Sequence, residues 1–317
     1  MNPKAPIAAL KARAQMLACI RQHFAEQGVL EVETPLLCSS TAMDPHLGSF
    51  TVPVAGEQRY LQTSPEFPMK RLLASGSGSI YQICKSFRVD EVGRHHNPEF
   101  SLLEWYRVGW SSEQLAREVV ALVIKVAQLF GNSWQVNASC TYRELFLQVV
   151  GVDPFLASAE QLATVAARHL KGDLPDLDRS GWLDLLMSQL VEPAMAKGLT
   201  LVVDFPAEQA ALAQKAQDHL GNWVAQRFEL YVDGIELANG YQELTDPVEQ
   251  RNRFNMDNQQ RKALGLAELP MPEHLLQAMA RGIPDCAGVA LGLDRLLMLA
   301  SGKDSICDVI SFPFPDA

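Results

Sequence analysis

Residues 79–110 read SIYQICKSFRVDEVGRHHNPEFSLLEWYRVGW, and this stretch decides the fold class. Two runs with strand character, 79–90 and 100–110, are joined by the polar segment 91–99 with its Gly93, Asn97 and Pro98. The same arrangement returns later. LVVDF (201–205) reads as a strand, and RFELYV-DG-IELANGY (227–241) reads as a hairpin whose Asp233-Gly234 pair is a strong two-residue turn signal. Strands that come in adjacent antiparallel pairs, rather than alternating with helices, predict an α+β fold with an antiparallel sheet flanked by helices.

Working outward, Ile7, Leu10, Ala14, Leu17, Ile20 and Phe24 recur at helical spacing over 7–27, and Gly28 stops the helix. VLEVETPLL (29–37) reads as a strand ended by Pro35. YLQTSPEF passes from strand to helix, with Ser64 as N-cap, Pro65 at the first helical position and Met69, Leu72 and Leu73 facing inward. GSGS at 76–79 is a helix stop, since no Gly-Lys-Ser/Thr follows it. Residues 111–200 are mostly helical in pattern, and GVALGLDRLLMLASG (288–302) is a strand running into an amphipathic helix. No repeat or low-complexity linker interrupts the chain, which reads as a single domain over 1–317.

Composition narrows the function classes. A net charge of −10 with no Lys/Arg-rich run argues against a partner gripped by its phosphates along a nucleic-acid backbone. The six cysteines are scattered with no C-x-x-C pair, which points to reduced thiols rather than zinc or disulfides. No apolar run approaches the roughly 20 residues of a membrane span, and the N-terminus lacks a signal-peptide core, so a cytoplasmic protein with no membrane partner is expected.

On a strand from 100 onward, Phe100, Leu102, Glu104 and Tyr106 project to one face, and Ser101, Leu103, Trp105 and Arg107 to the other. A carboxylate beside a phenol among apolar neighbours is a seat for a substrate ammonium. Arg88 ends the preceding strand, and Arg94, His95, His96 and Asn97 fill the loop, a cationic and hydrogen-bonding lining suited to a polyphosphate. A metal bound by the two histidines is disfavoured, because adjacent residues on an extended chain point apart. Glu236 and Glu243 flank the ANG of IELANGYQEL; read as a tight turn, it brings together two carboxylates able to hold Mg²⁺, while strand-edge solvation is the competing reading. Arg295 follows Gly292 at the start of the last helix, where anions are favoured. Arg88 and Arg295 for phosphates, Glu236 and Glu243 for Mg²⁺, Phe100 to stack a base and Glu104 with Tyr106 for an ammonium describe ATP meeting an amine-bearing small molecule.

These segments resemble the three motifs of class II aminoacyl-tRNA synthetases, and in detail the lysyl enzymes. GVLEVETPLL (28–37) resembles motif 1, FRVDE…RHHNPEFSLLEWYR motif 2 and GVALGLDRL motif 3, while TSPEFPMKRLL, IELANGYQELTDPVEQRNRF and IPDCAGVALG extend the likeness over nearly the whole chain. The resemblance implies a class II catalytic domain, a homodimer, and an ATP-dependent ligase that forms an aminoacyl adenylate with Mg²⁺, releasing pyrophosphate and then AMP. Lysyl-tRNA synthetases carry an anticodon-binding barrel before motif 1; here motif 1 begins at residue 28, which leaves no room for one, and stable tRNA binding is not expected. The chain is more similar to the truncated lysyl-synthetase paralogues that attach (R)-β-lysine to a lysine side chain of elongation factor P. Another acceptor (tRNA in trans or a carrier protein) and a non-catalytic amino-acid-binding paralogue are the alternatives.

Carried over by position, the resemblance implies Ser64, Pro65 and Glu66 at the amino group of lysine or (R)-β-lysine, Glu104 and Tyr106 at its distal ammonium, and Glu249 as a further acidic contact. It implies Arg88 at the α-phosphate, with Val89, Asp90, His96 and Asn97 around the nucleotide and Phe100 on adenine. Glu243 and Leu244 fall at ATP and metal, and Gly292 and Arg295 at the ribose–phosphate end. The family's Arg-x-Glu becomes Arg88-Val89-Asp90 followed by Glu91, so which carboxylate plays that part is open. Ala290 replaces a glycine of the lysyl pattern, and its extra methyl is read as an isomer-specificity determinant.

Overall fold

The chain begins with a helix, α1 (Ile7–Glu26), whose buried stripe is Met16, Cys19, Ile20, His23 and Phe24; Gly28, at φ +67°, supplies the left-handed residue that ends it. The computed structural model describes residues 4–89, 91–314 and 316–317. The strands are β1 (Leu30–Glu31), β2 (Leu37–Cys38), β3 (Thr51–Val54), β4 (Glu57–Leu61), β5 (Ile80–Phe87), β6 (Glu99–Val108), β7 (Cys140–Thr141), β8 (Leu199–Pro206), β9 (Lys215–Gln217), β10 (Trp223–Val232), β11 (Ile235–Gln242) and β12 (Cys286–Gly292). After α1 come α2 (Glu66–Ala74), α3 (Ser112–Leu129), α4 (Tyr142–Val150), α5 (Ala159–His169), α6 (Arg179–Leu186), the single turn α7 (Glu192–Ala194), α8 (Pro247–Ala263), α9 (Glu273–Arg281) and α10 (Leu293–Ala300). Among the described residues no helix is long and apolar enough to cross a membrane.

Two compact units result, one of Met1–Ser133 with Glu243–Ala317 and one of Trp134–Gln242. In the first, β5 pairs antiparallel with β6 and β6 with β12, and short β1 lies parallel to β5. The fold is thus α+β, with a mixed sheet: antiparallel at its centre and parallel at an edge. The segment 29–37 is not one strand. Only Leu30–Glu31 and Leu37–Cys38 pair, the latter in a separate small sheet with β4 and β3; Pro35 lies between the two pieces and has no N–H to give a ladder.

Alternation along β6 divides labour between the sheet's faces. On one, Trp105 meets Phe24 edge-on with centroids 5.5 Å apart, Phe24 stacks on Tyr81 at 4.3 Å, and α1 and α3 cover the surface. Glu118 of α3 ties this layer together: it accepts from Arg107 Nε at 2.9 Å and Trp105 Nε1 at 3.0 Å, with His23 3.5 Å away. The other face carries Phe100, Leu102, Glu104 and Tyr106. Asp294 of α10 takes the Ser101 backbone N–H at 2.6 Å and pairs with Arg13 of α1.

In the second unit β8 pairs antiparallel with β10 and β10 with β11, β9 adds to β10, and β7 lies parallel to β8. Its core gathers Tyr142, Phe146, Trp182, Leu183, Val202 and Phe205. The Asp233-Gly234 turn forms with φ of 53° and 80°, the left-handed pair a tight hairpin needs. Ala238, Asn239 and Gly240, expected to turn, run inside β11, where Gly240 opposes Phe228.

Burial alone would raise Glu118, yet hydrogen bonds from Arg107, His23 and Trp105 hold its carboxyl down at about 2. Since an unfolded glutamate titrates at about 4.3, this stabilisation is complete above that pH and is lost as pH falls toward about 2. Glu118→Ala strands a buried guanidinium and should cost about 3–5 kcal/mol in urea unfolding at pH 7, with the difference from wild type vanishing in strong acid. A loss no larger than that of a surface pair, about 1 kcal/mol or less, contradicts the assignment.

Candidate active site

The face of the first unit's sheet opposite α1 and α3 is built in rows set by strand register. Ile80, Tyr106 and Gly288 lie side by side across β5, β6 and β12, followed by Gln82, Glu104 and Ala290, then Cys84, Leu102 and Gly292, and then Ser86 with Phe100. Side chains two apart on a strand share a face, so Glu104, Tyr106, Ala290 and Gly292 fall on the surface that alternation assigned to Phe100.

Helix α2 delivers the rest of the acidic group. Ser64 accepts the Glu66 N–H at 3.1 Å, and Pro65, rather than Ser64, occupies the N-cap, one position later than the sequence reading placed it. Met69 and Leu73 are buried as expected, while Leu72 is only partly so. Lys70, on the same inward stripe, is 1% exposed. Its ammonium lies 2.5 Å from Glu66 Oε1 and 2.6 Å from Glu243 Oε2. Neither Lys70 nor Gly288 was read from the sequence as functional. A Cβ on Gly288 would overlap both Glu243 Oε1 and the Tyr106 ring, so glycine is what leaves room for these two side chains.

Charge in this cluster is unbalanced. Glu66, Glu104 and Glu243 are three carboxylates around one ammonium. Burial, then the Glu66 and Glu243 charges, push the Glu104 carboxyl up to about 8, with Tyr106 and Ser64 opposing. Tyr106 donates to Glu104 Oε1 at 2.7 Å; burial and the carboxylates hold its phenol well above its ordinary value, so it stays a donor. Glu104 Oε2 and Gln82 Oε1 are buried and have no hydrogen-bond partner among the described residues. Burial lowers Lys70, but the Glu243 and Glu66 charges more than reverse this and hold it above its ordinary value.

Further along the face, the Arg88 guanidinium lies 5.1 Å from the Phe100 ring centroid and donates to Glu91 at 3.1 Å, and its buried Nε has no hydrogen-bond partner among the described residues. Of the two carboxylates left open there, Glu91 pairs with Arg88; the Asp90 expectation lies outside the described residues. Arg295 donates to the His95 carbonyl at 3.2 Å and meets His96 Nε2 at 2.6 Å, which joins α10 to the 91–99 loop. Val89 N–H bonds the Gly48 carbonyl at 3.0 Å. The Asn97 amide is engaged by backbone at both ends, donating to Glu99 O at 2.6 Å and accepting from Phe314 N at 2.9 Å.

Leu244 is buried beside Glu243, and Gly292 is the N-cap of α10. Glu249, on α8, is paired with Arg253 of the next turn at 3.1 Å. Glu236 sits on β11 in the other unit, where its charge acts on Arg227, Glu229 and Tyr231. The turn expected to bring Glu236 and Glu243 together is replaced by continuous strand. Among the described residues no three His, Cys, Asp or Glu side chains gather as a metal cage.

Comparison with known proteins places this geometry in context. The model for tRNA synthetases class II (D, K and N) matches residues 3–315, spanning both units. The chain is 47% identical over 321 residues to the elongation factor P–(R)-β-lysine ligase of Salmonella typhi, covering 98% of this chain and 96% of that protein. It is 47% identical over 323 residues to the ligase of the same name from Vibrio atlanticus, covering 99% and 98%.

Gly288→Ala tests the packing of the cluster. Its methyl overlaps Glu243 and Tyr106, and such overpacking should lower stability by about 1–3 kcal/mol in denaturant unfolding. A variant as stable as wild type contradicts the close approach described.

Proposed function

Because the chain belongs to the class II tRNA synthetase family of the D, K and N type, we propose that it activates (R)-β-lysine with ATP as an adenylate and ligates it to a lysine side chain of elongation factor P. The chain is an ATP-dependent ligase. The observation that carries the amine assignment is the charge imbalance: of three clustered carboxylates, Glu66 and Glu243 pair with Lys70, while Glu104 has no cationic partner among the described residues, and a substrate with two ammonium groups supplies what the cluster lacks. Glu104 Oε2 and Gln82 Oε1 are buried acceptors suited to its N–H donors.

In the first step a carboxylate oxygen of the amino acid attacks the α-phosphorus of ATP, and pyrophosphate leaves. In the second, the neutral amine of the acceptor lysine attacks the acyl carbon, giving an amide and AMP. Arg88 supports the first step, since its guanidinium would meet phosphate oxygens once ATP draws it from Phe100. Arg295, held by the His95 carbonyl and His96 Nε2, supplies a second cation for the phosphates. Phe100 would then offer its ring to adenine. Mg²⁺, a hard cation that leans on one or two carboxylates and substrate phosphates, would be held at Glu243 and would neutralise phosphate charge.

A homodimer is supported by Leu30, Leu36, Leu37, Phe50 and Val54, apolar side chains exposed along the motif-1-like segment and the small sheet beside it. The acidic charge of −10 favours a protein acceptor over tRNA, and the scattered cysteines fit the cytoplasm.

The deciding experiment is the intact mass of elongation factor P after incubation with this protein, ATP, Mg²⁺ and either lysine isomer. A gain of one lysyl unit, in higher yield with (R)-β-lysine, is expected; ATP consumption without any gain contradicts this acceptor. Ala290 opposes Glu104 in the β6–β12 register, so its methyl borders the amine seat. Ala290→Gly should shift preference toward α-lysine by roughly 10-fold or more in kcat/KM, and unchanged isomer selectivity contradicts that role.

A further inference from the structure

Lys70 is a charge on a helix stripe that otherwise carries apolar side chains. It is 1% exposed on the inward stripe of α2, beside Met69 and Leu73. Its ammonium touches two carboxylates from different parts of the chain, Glu66 one turn earlier on α2 and Glu243 just before α8. Both oxygens lie within 2.6 Å of one nitrogen, so the two carboxylates are held closer together than their mutual repulsion alone permits. Each is also fixed from its far side. The Glu66 N–H is bound by Ser64 Oγ, and the Glu243 N–H donates to the Cys286 carbonyl at 3.0 Å while Oε1 packs against Gly288.

We propose that Lys70 is a positioning residue that pins Glu66 and Glu243 together, so that the substrate ammonium and the nucleotide-side carboxylate are set relative to one another before either substrate arrives. The role rests on the ligase activity proposed above. Lys70 touches neither substrate; it acts through the two glutamates, and pre-setting them removes a reorganisation cost from adenylate formation.

The test is ATP–pyrophosphate exchange dependent on (R)-β-lysine, measured for wild type, Lys70→Met, Lys70→Ala and Lys70→Arg, with thermal unfolding of each. Lys70→Met keeps the length and loses the charge; a folded Lys70→Met should lose about ten- to a hundredfold in kcat/KM for the amino acid, the scale of one charge-assisted hydrogen bond. Propylammonium, which replaces the missing side chain and its charge, should restore saturable exchange to Lys70→Ala, while 1-propanol should not. A folded Lys70→Met within twofold of wild type overturns the proposal, as does equal rescue by propanol and propylammonium. If the Met and Ala variants do not fold, Lys70→Arg decides: an Arg variant that folds as stably as wild type and keeps its kcat/KM shows that Lys70 serves stability alone and overturns the proposal, whereas one that folds but loses kcat/KM supports it. Wild type without exchange contradicts the ligase reading itself instead.

Discussion

Three carboxylates facing one ammonium, on a sheet face whose back is sealed by α1 and α3, is the constraint on which the rest of the first unit depends. Glu66, Glu104 and Glu243 cannot all be ionised at neutral pH beside Lys70 alone without cost, and burial of Glu104 makes that cost visible as a carboxyl raised to about 8. The fold supports this arrangement on every side. Gly288 gives room for Glu243 and Tyr106, Tyr106 donates to Glu104, and Ser64 fixes the start of α2. On the opposite face, Glu118, Arg107 and Trp105 make a fully paired counterpart, which anchors β6 so that its other face can stay undersatisfied.

Much of this was legible in the sequence because strand alternation is a strong rule. Phe100, Leu102, Glu104 and Tyr106 fall on one face as the period of two requires, and the Asp233-Gly234 turn forms where its residues demand positive φ. The helix over 7–27 and its Gly28 stop needed only periodicity and one left-handed residue. What failed were readings in which local composition was ambiguous. VLEVETPLL has the residues of a strand but a proline in its middle, and ANG has the residues of a turn but lies in β11.

Lys70 escaped the sequence reading for a different reason. A lysine four residues after a glutamate on a helix ordinarily signals a solvated i,i+4 pair. The signal that places it inside is phase: Glu66, Met69, Lys70 and Leu73 fall at i, i+3, i+4 and i+7, the stripe that α2 buries. Gly288 is invisible in the same way, since only the register of β12 against β6 sets it beside Tyr106. Asn97, by contrast, has the residue type for nucleotide binding, yet its amide is already used by the backbone at Glu99 and Phe314.

An ammonium that completes this cluster would be seen in calorimetric titration of (R)-β-lysine at pH 7 in buffers of different ionisation enthalpy. With its carboxyl near 8, Glu104 is mostly protonated at that pH and must ionise to receive the ammonium. Binding should therefore release protons, and Glu104→Gln should lower that release. Tight binding with no proton released, or with a release unaffected by Glu104→Gln, would contradict the account.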